Sequence, residues 1–121
     1  MSLLLLLKTQ TLVPTVAPPF NSGGFMITTT AYIANAVTAG IAVDGSATKR
    51  GPNQPILCVL ENTDASVTVY VGGATVDKTG VNKGLSLAPG AQLALEIIYT
   101  DIVYIIAATG TPVITVFLAR L

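Results

Sequence analysis

Ser86 sits in the run Gly84-Leu85-Ser86-Leu87-Ala88, a near match to a nucleophile elbow. A serine there turns nucleophilic only when a neighbouring base takes its proton, and the chain contains no histidine. The run therefore reads as an ordinary strand entering the Pro89-Gly90 turn. A pair of carboxylates could hydrolyse a glycoside without histidine. Asp44, Asp64, Asp77 and Asp101, however, all fall at expected turns, where aspartate bonds local backbone. A D-x-[DN]-x-[DN]-G calcium loop is absent from the sequence. The single cysteine, Cys58, can make neither an internal disulfide nor a thiolate zinc site. On an apolar strand face it reads as a small buried hydrophobe. The expectation is a chain that is not an enzyme, with no catalytic residues, no metal and no cofactor.

Composition extends the exclusions. Six basic residues balance six acidic ones in 121, and charged residues make up 10% of the chain against about 25% in ordinary soluble domains. The length fits one domain. A neutral, weakly charged surface favours association, so partner subunits are expected to cover much of it. Six scattered basic residues make no phosphate-tracking patch, which argues against nucleic acid as a partner. The apolar run at 3–7 is far shorter than the roughly 20 residues of a membrane-spanning helix. Lys8 follows those leucines instead of preceding them, so the run lacks the basic start of a signal peptide. Cytosolic synthesis without a membrane partner is the expectation.

The elements that must position these groups are strands. Thr, Val and Ile make up about a third of the chain, a composition that suits pleated, half-buried surfaces better than helices. Residues 25–37 alternate, with Phe25, Ile27 and Ile33 on one parity and Thr28 and Thr30 on the other. Ile56, Cys58 and Leu60 share a face within 56–62, as do Leu93, Leu95 and Ile97 within 92–98. Further strands are expected at 67–71, running into a Gly72-Gly73 hairpin turn, and at 85–87, 102–108 and 113–121. Turn signals recur every 8–12 residues, the rhythm of an antiparallel sandwich or barrel. The reading is all-β: an antiparallel β-sandwich, jelly-roll-like, over residues 25–121, preceded by an extended apolar arm over residues 1–24.

That arm holds Leu3, Leu4, Leu5, Leu6, Leu7, Leu12, Val13, Val16 and Phe20, interrupted by Pro14, Pro18 and Pro19. The prolines forbid a long helix and favour extended geometry. Ordering such a segment costs roughly 1–2 kcal/mol per residue in backbone entropy, which only burial offsets. It would lie either on its own domain as an extra edge strand or across a boundary between subunits. The second is preferred, because the domain already has enough strands for itself. Two polar loops, 44–55 and 77–84, carry Lys49, Arg50, Lys78 and Lys83. These are read either as solvated charges that keep an apolar protein in solution or as surface-contact residues.

Residues 67–121 carry a resemblance. Val67-Thr-Val-Tyr70-Val-Gly72-Gly73, then Leu87-Ala-Pro89-Gly90 with alternating leucines, then Val103-Tyr104-Ile-Ile-Ala107-Ala108-Thr-Gly110-Thr and a closing Val/Leu strand resemble small virion proteins of tailed bacteriophages. The likeness is to head-decoration (cement) proteins and head-fibre attachment domains. It covers nearly half the chain, and the leucine arm lies outside it. The resemblance implies a sandwich that binds and stabilises an assembled capsid from its exterior, without chemistry. The implied partners are the major capsid protein and copies of itself as a homotrimer, after synthesis in the host cytoplasm. The alternative is a receptor- or glycan-binding module of a phage fibre or tail, reading its ligand through the two polar loops. Protein–sugar sites favour exposed aromatic platforms, and the chain has no tryptophan and only four tyrosines, which counts against that alternative.

Overall fold

In the computed structural model, the described residues are 27–48 and 54–121. The expected arm, with Leu3, Leu4, Leu5, Leu6, Leu7, Leu12, Val13, Val16 and Phe20, lies outside them, and so do Lys49 and Arg50. Alternation of apolar residues builds the strands in order: β1 (Thr28–Ile33), β2 (Gly40–Asp44), β3 (Ile56–Asn62), β4 (Val69–Gly72), β5 (Leu85–Leu87), β6 (Gln92–Ile97), β7 (Ile102–Ala107) and β8 (Val113–Arg120). A single 3-10 turn, Gly45–Thr48, follows β2.

The pairing follows one rule. β1 pairs with β8, β2 with β7, β3 with β6 and β4 with β5, all antiparallel. This is a long hairpin wound on itself. Pairing of β8 with β3 and of β7 with β4 closes it into two four-stranded sheets, β1-β8-β3-β6 and β2-β7-β4-β5. The described residues therefore form an all-β sandwich with jelly-roll topology. One core lies between the sheets. Ile56, Cys58, Leu60, Ile114 and Val116 come from the first sheet, and Val43, Val69, Val71, Val103 and Ile105 from the second.

Three expectations need correction. The expected strand at 25–37 ends early: β1 stops at Ile33, and the chain crosses to the other sheet to form β2. β2 carries no clear strand signature in the sequence, because only Val43 in Gly-Ile-Ala-Val-Asp is buried and a bulge between Ile41 and Val43 breaks its alternation. The parity of β1 is also reversed. Ile27 and Ile33 are 65% and 63% exposed, whereas Tyr32 packs against the core. Register explains this, since Tyr32 lies opposite buried Ile114 and Thr30 opposite buried Val116. Finally, Gly72-Gly73 is no tight hairpin. Residues 73–84 make an excursion closed by Asp77 N–H to Asn82 O (2.9 Å) and Gly84 N–H to Asp77 O (3.1 Å). Buried Val76 folds against Gly72 and Gly84.

The Pro89-Gly90 turn holds as expected. Ala91 N–H donates to Ala88 O at 2.9 Å, and Gly90 has φ of 80°, the positive φ that a type II turn requires after proline. This turn carries the chain from β5 in one sheet to β6 in the other. Asn62, fully buried, fixes that corner. Its Nδ2 donates to Val67 O (2.8 Å) and Leu87 O (2.9 Å), and its Oδ1 accepts from Asp64 N–H (3.1 Å). Its backbone bonds Ala91 O and Gly90 N–H. One polar side chain thus ties the end of β3 to β5 and to the residues leading into β4, with both of its amide donors used.

Candidate functional site

β5 and β6 leave the Asn62 corner in different sheets, and β5 is only three residues long. Away from the corner, this margin of the sandwich is open. A cleft of about 280 Å³ lies between the sheets there, floored by Val71, Val103 and Ile97 and walled by Leu85, Leu93 and Leu95. The contrast with β3 shows what is missing. Its core-facing Ile56, Cys58 and Leu60 are fully buried, whereas Leu93 and Leu95, on the core face of neighbouring β6, are only half-buried. Leu85 and Ile102 at the rim are 61% and 40% exposed.

The opposite margin, between β1 and β2, is built differently. The Tyr32 ring reaches across to Gly40, its hydroxyl occupying the space that a Cβ there would need. Burial raises the tyrosine pKa above its ordinary value. One margin of the sandwich is thus filled by an aromatic side chain, and the other is open.

The charged groups lining the cleft are Glu96 and Asp101. Asp101 accepts from Ile98 N–H through Oδ2 at 2.8 Å. The other turn aspartates are engaged in the same way, as the sequence reading expects. Asp44 accepts from Ser46 N–H and Oγ–H (3.0 and 2.7 Å), and Asp77 from Lys78 N–H (2.7 Å). Asp64 accepts from Ser66 and Val67 N–H (2.9 and 2.7 Å). Those two N–H groups hold its carboxyl below the usual aspartate range. Ser86 lies in the middle of β5, opposite Tyr70, on extended strand. Cys58 is buried in the core, and burial pushes its thiol up to about 11.

Of the candidate contact cations, the structure describes Lys78 and Lys83. Lys78 turns inward, and its ammonium donates to Ala36 O (2.8 Å) and, at longer range, to Ala108 O (3.4 Å), tying the 73–84 excursion to two other loops. Lys83 lies 5.5 Å from the Tyr70 ring centroid, within cation–π reach. A second hollow, about 380 Å³, lies beside Lys83 and Asn82 and shares Val71, Gly72 and Leu85 with the cleft. The structure thus places the two lysines in different roles. It also adds Leu85, Leu93, Leu95 and Ile102, which the sequence marks as strand residues only. Their alternation is visible in the sequence; that a three-residue strand faces them is a property of the topology.

No family model matches the chain, and no curated protein matches it. Among solved structures it is similar to a chain from work described as "Bacillus endospore appendages form a novel family of disulfide-linked pili". The TM-score is 0.47 and the identity 17%, over 79% of this chain and 86% of that one. At that distance the likeness carries nothing about function.

Proposed function

We propose that this chain is a non-enzymatic structural protein that decorates an assembled bacteriophage capsid, bridging shell subunits from the exterior. The observation that carries the structural part is the open apolar cleft on a jelly-roll sandwich whose turn carboxylates are already bonded to their own backbone. Such a surface offers apolar area and a strand edge, which are means of association. The capsid part rests on the resemblance of residues 67–121 to head-decoration and head-fibre attachment proteins. Each copy bridging two shell subunits would bury apolar area worth about 25 cal/mol per Å², less the cost of association. Repetition over a shell would raise the barrier to rupture.

The test is to incubate the full chain with shells that lack it and to separate bound from free by sedimentation. Saturable binding that raises the rupture temperature, and that can be reversed without dissolving the shell, is the expected result. A shell that dissolves when the chain is stripped would make it a structural subunit instead. A free oligomer that binds host cells or glycans and never joins a shell would establish the fibre or tail alternative. Deleting residues 1–20 should leave a folded domain that no longer binds, and undiminished binding by the deleted chain would remove the arm from the mechanism.

A further inference from the structure

The cleft between β5 and β6 has the shape of a missing strand. β6 is the last strand of its sheet, so one row of its backbone N–H and C=O groups has no strand partner among the described residues. Its core-facing Leu93 and Leu95 are half-buried beside Ile97 and rim Leu85. An added strand completes such an edge when its alternate side chains are apolar, the backbone giving affinity and the side chains register. Edges of this kind are usually blunted by charge, proline or a covering segment. Residues 92–97 instead offer Gln-Leu-Ala-Leu-Glu-Ile.

We propose that residues 3–7 of a second copy of this chain fill the cleft as a strand added to β6. In a strand with period two, Leu3, Leu5 and Leu7 fall on one face, matching the spacing of Leu93, Leu95 and Ile97. Lys8, next in sequence, is the one charged side chain in residues 1–26, and the charged groups lining the cleft are the carboxylates of Glu96 and Asp101. The choice of a second copy follows from where the described chain begins. Ile27 leads into β1, and β1 is the opposite edge of the same sheet, in the order β1-β8-β3-β6. The arm therefore enters the domain roughly 14 Å, three strand spacings, from its own cleft. To fill that cleft itself it would have to cross the whole sheet. Head-to-tail insertion of this kind joins copies heterologously, closing into a ring or extending as a chain according to the rotation between them.

The inference deepens the structural reading above, and the two fail separately. The experiment uses the full chain and single cysteine replacements. Cys58 is replaced by alanine in every chain, because it lies directly opposite Leu95 in the β3–β6 pairing and would capture a cysteine placed there. Chains carrying Leu5→Cys are mixed with differently tagged chains carrying Leu95→Cys under mild oxidation. The expected result is a disulfide between unlike chains that consumes most of the limiting partner. A control mixture with Thr29→Cys, on the outer face of β1, should give little. Leu93→Cys serves as a second partner should Leu95→Cys fail to fold, with circular dichroism as the check. No excess over the control from either folded partner overturns the proposal. So does a disulfide formed only within a single chain carrying both replacements, because the arm would then occupy its own cleft. A mixed disulfide in chains that bind no shell would support this inference and refute capsid decoration.

Discussion

Asn62→Asp tests the corner that sets the cleft. The replacement is nearly isosteric and keeps the oxygen that accepts from Asp64 N–H. It removes the two donors, so Leu87 O and Val67 O both lose their Asn62 partner. A buried acceptor left unsatisfied costs about 1–3 kcal/mol. Taking the buried Leu87 bond at about 2 and the partly buried Val67 bond at about 1 gives a loss of about 3 kcal/mol. For a domain of this size, with a stability of roughly 5–13 kcal/mol, that lowers the melting temperature by about 12–24 °C. The loss should depend on pH. An aspartate facing two carbonyl oxygens has its native pKa raised above its unfolded value near 3.9. Below that value the protonated acid can still donate one bond. As pH rises above it, the unfolded state ionises first and the variant loses further stability, levelling off beyond the raised native pKa. Urea unfolding of variant and wild type in parallel, from pH 3 to pH 8, gives the difference at each pH and cancels groups common to both. A difference under about 1 kcal/mol, or one equal at both ends of the range, would refute the account of the corner.

Gly45→Ala should destabilise the domain by about 1–3 kcal/mol, the usual cost of overpacking. Its Cβ would meet the backbone carbonyl oxygens of Ile98 and Asp101, while Gly45 N–H bonds Asp101 O at 2.8 Å; thermal melts give the number. Cys58 should resist thiol reagents in the folded protein at pH 8 and react fully in denaturant, because burial both hides it and pushes its pKa to about 11. Rapid labelling of native protein would contradict its core position. Asp64→Ala should flatten the acid side of the stability profile. The native carboxyl is held below the ordinary aspartate value of 3.8, so its contribution is complete above that value and is lost as pH falls through the lower native one. Acid titration of both proteins reads the difference in slope.

Much of the fold is legible because burial acts on period-two alternation. β3 and β5 fall on the expected bounds, Ile56–Asn62 and Leu85–Leu87, and the Pro89-Gly90 turn follows from backbone geometry alone. β1 shows where pattern fails. At a sheet edge neither face is well covered, so apolar identity does not report direction, and Ile27 and Ile33 face outward while Tyr32 packs against the core. β2 is hidden because a bulge breaks the alternation on which the reading depends. Gly72-Gly73 signals a turn without saying how far the chain wanders before β5 begins. Asn62 reads as a polar residue at a strand end, and its role depends on Val67 and Leu87 arriving from elsewhere. The cleft is least legible of all. The six-residue β6 and the three-residue β5 are each visible in sequence, but their placement at one margin in opposite sheets is a product of the winding.

The two margins of the sandwich bear on why the cleft exists. A jelly roll leaves four edge strands, here β1 and β2 at one margin and β5 and β6 at the other. The first pair is bridged by one aromatic ring over a glycine, a solution that needs only local residues. The same device at the second margin would have required a large side chain where the chain has Leu93, Leu95 or Leu85, all of which it leaves half-buried or exposed. Half-buried leucines forgo about 25 cal/mol for each Å² of apolar surface left in water, so the isolated domain is less stable than the same strands would be with the cleft filled. Any segment that fills the cleft recovers that difference and binds the folded state alone, so assembly and folding stability are linked by mass action. With residues 3–7 of a neighbour as the filling segment, the melting temperature of the full chain rises with its concentration. A chain with Leu3, Leu5 and Leu7 replaced by serine melts at one temperature whatever its concentration.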